Sequence, residues 1–179
     1  MHKMILVAPA LLAAMLVTGC GGERPADTTA VAEPAAPAPA TDVAPAVAAP
    51  AVAYAMAVGA PVAGNCALDM VNGTHGPSVT APVGSKALVG GWAASADNQV
   101  PANALFVLAN GADSHAVPLV AGAHRPDVAA ALGSEALAQA GYNLDIDLAA
   151  VPAGSYDLVI VLDQATSAYC DLGTRLVLE

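Results

Sequence analysis

The chain is poor in aromatic residues and in positive charge. One Trp, one Phe and four Tyr bring aromatics to 3% of 179 residues, and five Lys and Arg stand against 15 Asp and Glu. A domain built from this composition must fill its interior with Val, Leu and Ile, so the burial available to stabilise it is modest. With a formal net charge of −10 the surface repels phosphate backbones and anionic lipid headgroups, which argues against nucleic acid as a partner. Catalytic signatures are missing too. No Gly-x-Ser-x-Gly occurs, and Ser155 follows a glycine without the strand-turn-helix context that exposes a nucleophile. Gly90-Gly91-Trp92 opens no helix and so makes no phosphate cradle, and no Cys-x-x-Cys pair is present.

What the chain does have begins at its N-terminus. Lys3, beside His2, precedes an apolar run from Ile5 to Val17 that only Pro9 interrupts. The run is too short to cross a bilayer, which takes about 20 apolar residues, and it has the length of a signal-peptide core. It ends in Leu16-Val17-Thr18-Gly19-Cys20. That stretch resembles the lipobox of bacterial lipoproteins. The resemblance implies a signal peptide over 1–19, diacylation of the Cys20 sulfur through a thioether, cleavage before Cys20 and usually N-acylation, with palmitate among the chains. Two or three acyl chains anchor a protein stably where one does not. Gly21 stands where inner-membrane retention in the enterobacterial family calls for Asp, so the resemblance implies a cell-envelope protein of the outer membrane. Cleavage would leave 179 − 19 = 160 residues whose side chains carry 4 − 15 = −11 charges.

Between Gly21 and Pro61, 16 Ala and 7 Pro account for 23 of 41 residues. Alanine favours helix, but prolines at 25, 34, 37, 39, 45, 50 and 61 remove backbone donors and push each preceding residue toward extended conformations. Residues 20–61 are therefore expected to be a disordered tether behind the lipidated cysteine, on the order of 100 Å long when stretched. Ala51 to Val58, with Tyr54 and Met56, is the one part with the composition to add a helical turn or an edge strand.

From residue 62 to 179 short Val- and Leu-rich runs alternate with Gly, Pro, Asn and Asp, the pattern of an antiparallel sandwich. Strands are expected near Cys66 to Val71, Lys86 to Ala94, Ala104 to Leu108, His115 to Val120, Tyr142 to Leu148, Tyr156 to Leu162 and Thr174 to Leu178. The Tyr156 run is apolar on both faces and belongs in the middle of a sheet. Asp127 and Gly133 bracket a short helix, Ser134 to Gly141 repeats that design, and together they make a helical crossover. Gly91-Trp92-Ala93, Arg125-Pro126-Asp127-Val128-Ala129 and Ile146-Asp147-Leu148 before Pro152-Ala153-Gly154 resemble immunoglobulin-like β-sandwich domains appended to bacterial envelope proteins. The fold class expected is thus mainly β, a single immunoglobulin-like sandwich with a helical crossover. The resemblance implies fold and compartment but no activity.

With Cys20 lipidated, Cys66 and Cys170 remain as an even pair in an oxidising compartment, and a disulfide between them is expected. Trp92 is expected to be the core anchor between the sheets, while Trp92, Tyr142, Tyr156 and Tyr169 are together the candidate carbohydrate platform. Asp145 and Asp147 share a strand face but need oxygens from Asp157 or Asp163 to hold calcium. His115 and His124 lie too far apart in sequence for a structural zinc motif, and with His75 they read as surface histidines. No metal, cofactor or catalytic residue is expected. The expected function is non-enzymatic, a binding or structural module held by its lipid anchor and presented to an envelope protein or glycan. The alternatives are a carbohydrate-binding module for peptidoglycan or surface polysaccharide, or a hydrolase with a dispersed site.

Overall fold

The structure, a computed structural model, describes residues 48–179. The expected signal peptide over 1–19, Cys20 and residues 21–47 lie outside the described residues. Two sheets pack face to face. The four-stranded sheet holds, in spatial order, β1 (Ala49–Pro50), β8 (Gly141–Asp147), β5 (Lys86–Ala94) and β3 (Asn65–Val71). The six-stranded sheet runs β2 (Val52–Ala53), β7 (His115–Leu119), β6 (Ala104–Ala109), β9 (Gly154–Asp163), β10 (Ala168–Leu178) and β4 (Ser78–Ala81). Helix α1 (Pro126–Leu132) and a 3-10 turn (Glu135–Gln139) join β7 to β8. Gly133 ends α1 in the left-handed conformation at φ 65°, as its position predicts, but Arg125 takes the N-cap place and Asp127 lies inside the first turn.

The pairings follow the immunoglobulin plan. In the letters of that fold, β3, β5 and β8 pair as strands A, B and E, and β10, β9, β6 and β7 pair as G, F, C and C′. Strand β4 runs parallel to β10 at the far edge, so the sheets are not wholly antiparallel. At the E–F corner the Tyr156 hydroxyl donates to the Pro152 carbonyl at 2.9 Å, the tyrosine-corner bond of this fold.

The core follows from two-residue alternation. Ala87, Val89 and Ala93 of β5 and Tyr142, Leu144 and Ile146 of β8 point inward to meet Phe106, Leu108, Tyr156, Leu158 and Ile160 of the opposite sheet. Strand β9 is central, as its sequence predicts: its outward Val159 and Val161 are covered by Tyr54, Met56 and Tyr169. Cys66 on β3 and Cys170 on β10 lie at disulfide distance with Cα atoms 6.2 Å apart, joining the two sheets between strands that share no ladder.

Residues 48–61, expected at the end of the tether, belong to the sandwich. Ala49 and Pro50 run parallel to β8, Val52 and Ala53 antiparallel to β7, and Ala51 between them is 2% exposed and part of the core. The chain then crosses the outer face of the six-stranded sheet and is caught at β10, where Tyr169 donates to the Pro61 carbonyl and Ala63 donates to Tyr169.

Candidate functional site

The four rings expected to form a platform do not share a surface. Tyr142 and Tyr156 are each 1% exposed and lie inside the sandwich. Trp92 points away from the core, because Val89 and Ala93 fix the inward face of β5 and Gly91 holds the inward position nearest to it. The indole is half-buried under α1 with Val128, Leu137 and Ala140. The core anchor between the sheets is instead Phe106, tilted against Tyr142 with centroids 6.3 Å apart. Tyr169 sits half-buried on the opposite outer face of the molecule.

The carboxylates considered for calcium are also separated. Asp145 and Asp147 lie on β8, whereas Asp157 and Asp163 lie on β9 in the other sheet, because the chain changes sheets after β8 instead of forming a hairpin. Asp157 pairs across the ladder with Arg175 at 2.7 Å, and the Asp163 carboxylate caps its own turn by accepting from Ala165 and Thr166. His115 is buried on β7, edge-on to Tyr156 at 6.2 Å, whereas His124 borders an open cleft with Asp69 and Arg125. Among the described residues no group of three or more His, Cys, Asp or Glu is placed to hold a metal.

One polar constellation was not anticipated. Arg125, with a side chain 20% exposed, donates from Nη1 to Asp69 at 2.7 Å and from Nε and Nη2 to Asp127 at 3.0 and 2.8 Å. Three local features bring these groups together. A bulge between Leu68 and Met70 turns Asp69 out of the β3 register. Ala123 bridges to Gly141, and the Arg125 amide donates to Ala138, which fixes the loop before α1 against the start of β8. A Cβ at Gly141 would stand 2.8 Å from both the Ala123 carbonyl and the Arg125 stem, so only glycine lets the loop lie this close.

Beside the clamp is an open cleft of about 270 Å³, bordered by Asp69, Met70, His75, Gly90, His124 and Asn143. Tyr142 also lines it and contributes a buried hydroxyl with no hydrogen-bond partner among the described residues. Burial, and then the nearby Asp69 charge, push that phenol well above its ordinary value. The Arg125 hydrogen bond holds the Asp127 carboxyl down at about 2, and the same pairing raises the guanidinium. Two carboxylates against one guanidinium leave the cluster negative, so the cleft does not collect anions. A second open cleft of about 410 Å³ lies along the irregular part of β10, between Ser78, Asp157, Asp171 and Arg175, and is likewise acidic.

Nothing local in the sequence announces the clamp, since Arg125 and Asp69 are 56 residues apart. The scarcity of cations is the signal that was available: with five in the chain, each is worth asking for its partner. The class that fold and cysteine pair define is an immunoglobulin-type β-sandwich with its sheets joined by a cysteine pair. No family model, no curated protein and no solved structure matches the chain.

Proposed function

We propose that this chain is a lipid-anchored protein of the bacterial cell envelope that carries a small non-catalytic binding sandwich away from the membrane on an Ala/Pro tether. The observation that carries the reading is the Cys66–Cys170 pair. Of three cysteines, the two outside the lipobox meet across the sheets, which leaves Cys20 outside that pair, at the position where the lipoprotein motif needs it. Residues 48–53 pair with the sandwich, so the tether we propose is left with residues 21–47, about 80 Å at polyproline II rise. The acidic surface suits a neutral or cationic partner, and the cleft beside the Arg125 clamp is the surface we assign to it.

The test is metabolic labelling with a palmitate analogue, followed by membrane fractionation. Label in the wild-type chain and none in Cys20→Ala is the expected result. Unlabelled protein recovered in the soluble fraction counts against the anchor. A pull-down from envelope extract on the tagged mature chain that recovers no more protein or glycan than bare resin counts against the binding role.

A further inference from the structure

We propose that the paired edges of β7 and β8 form a strand-acceptor groove, filled here by the chain's own residues 48–53 and able to take the same segment from a second copy of this chain. In an immunoglobulin variable domain, further strands continue both sheets at this side of the sandwich. Here α1 and the 3-10 turn occupy the connection from β7 to β8, and the edge positions are taken by β1 and β2, which come from the other end of the chain. The domain is completed by a segment that is not contiguous with the strands it covers.

The hold on that segment is short. Ala49 and Pro50 pair with Ile146 and Asp147, and Val52 and Ala53 pair with Ala116 and His115. Ala51 donates to the Asp147 carbonyl at 3.1 Å and Tyr54 to the Ser114 carbonyl at 2.8 Å. Ala48 and Ala51 are the side chains that enter the interior, at 8% and 2% exposure. The groove therefore accepts small residues at two positions three apart and rejects a bulky or charged side chain at the second. Beyond Tyr54 the crossing segment contains a fully exposed Val58 and a left-handed Gly59 at φ 76°, a hinge between the docked segment and the β10 attachment.

A second copy supplies the same residues, so every contact in the groove is kept when segments exchange. Exchange of an identical element between protomers therefore costs little beyond association itself. Exposed sheet edges left without a cover invite pairing with another chain, which gives the exchanged state its drive whenever the cis segment lifts. Two anchors in one membrane would also raise the effective concentration of the second segment. That last argument rests on the anchored reading, whereas the groove does not.

The experiment shortens the hinge. Deleting Ala57 to Gly59 in the full mature chain is expected to keep residues 48–53 from reaching their own groove, and light scattering in detergent reads the protein mass. The expected result is a doubled mass across the micromolar range, which returns to the single-copy mass when Ala51→Asp is added. A single-copy mass for the deletion, or a doubled mass that survives Ala51→Asp, overturns the proposal. Should the deletion chain not fold, a fluorescent peptide of residues 48–56 decides. It is expected to bind the otherwise intact Ala51→Asp chain, and no binding overturns the acceptor groove. These masses are read whether or not Cys20 carries lipid, so failure here is distinct from failure of the anchor.

Discussion

Gly91 and Tyr142 stand opposite each other in the β5–β8 ladder, and the tyrosine hydroxyl fills the space that a side chain at Gly91 would need. A Cβ there would lie 2.6 Å from the hydroxyl and also run into the Ala67 carbonyl, which is backbone and cannot swing aside. Gly91→Ala is accordingly expected to destabilise the domain by about 1–3 kcal/mol, the usual range for overpacking. Urea unfolding measures this, and a loss below about 0.5 kcal/mol, the size of an ordinary surface change, contradicts it.

The two buried tyrosines differ in what their hydroxyls do. Tyr156 donates to Pro152 at 2.9 Å, so Tyr156→Phe should lose about 0.5–1.5 kcal/mol. The Tyr142 hydroxyl is buried without a partner among the described residues, so Tyr142→Phe removes a desolvated polar group and should be neutral or stabilising. Equal losses in the two variants would refute the distinction.

The same phenol sets an alkaline limit. Its folded pKa is raised by burial, and to a lesser extent by Asp69. The stability this gives is fully present below the unfolded value of about 10 and is lost as pH rises beyond it, because the unfolded chain ionises first. Unfolding midpoints of the wild-type chain should fall above about pH 10, with a shallower fall in Tyr142→Phe. Parallel curves for the two proteins would show that the group plays no part.

Asp127 sets the acid side of the clamp. Its carboxyl is held at about 2 chiefly by the Arg125 hydrogen bond. Because the folded value lies below the unfolded one, the contribution is present above about pH 4 and disappears as pH falls through about 2. Carbon-detected NMR should follow the Asp127 carboxyl titrating near 2 in the wild-type chain and back in the ordinary carboxylate range in Arg125→Met. An unchanged midpoint in that variant would mean that another group holds the proton off.

Much of the sandwich was legible because its strands alternate cleanly and end in Gly, Pro or Asp. Lys86 to Ala94 was located to the residue, and β3, β6, β7, β8 and β9 to within two residues at each end. Thr174 to Leu178 proved to be the second half of β10, since the irregularity between Asp171 and Arg175 and the left-handed Gly173 at φ 63° hide its first half from a period of two. Strand β4 escaped because four residues between Pro77 and Pro82 read as a loop, and β10 is what makes them a strand. Size alone suggests a core place for Trp92, but the register of β5 is decided by Ala87, Val89 and Ala93. Strands β1 and β2 come from an Ala/Pro stretch whose composition describes a spacer, and only the edges of β7 and β8 turn it into sheet. The Arg125 clamp depends on a bulge and a loop that meet in space alone.

The cysteine pair is the remaining test of how this aromatic-poor domain holds together. Cys66 and Cys170 are 104 residues apart and enclose nearly the whole sandwich. In the chain-entropy model a closed loop near 100 residues removes about 4.7 kcal/mol of unfolded-state entropy, and native disulfides in small exported domains contribute about 2–5 kcal/mol in practice. That is a large share of the stability of a single domain. The bridge also sits next to Tyr169, whose backbone holds Pro61 and Ala63, so its loss loosens the place where the N-terminal segment rejoins the sandwich. Cys66→Ala with Cys170→Ala should lower the unfolding free energy by about 2–5 kcal/mol, and dithiothreitol should do the same to the wild-type chain while leaving the double variant unchanged. If reduction leaves the wild-type urea midpoint where it was, the two sheets are held by packing alone.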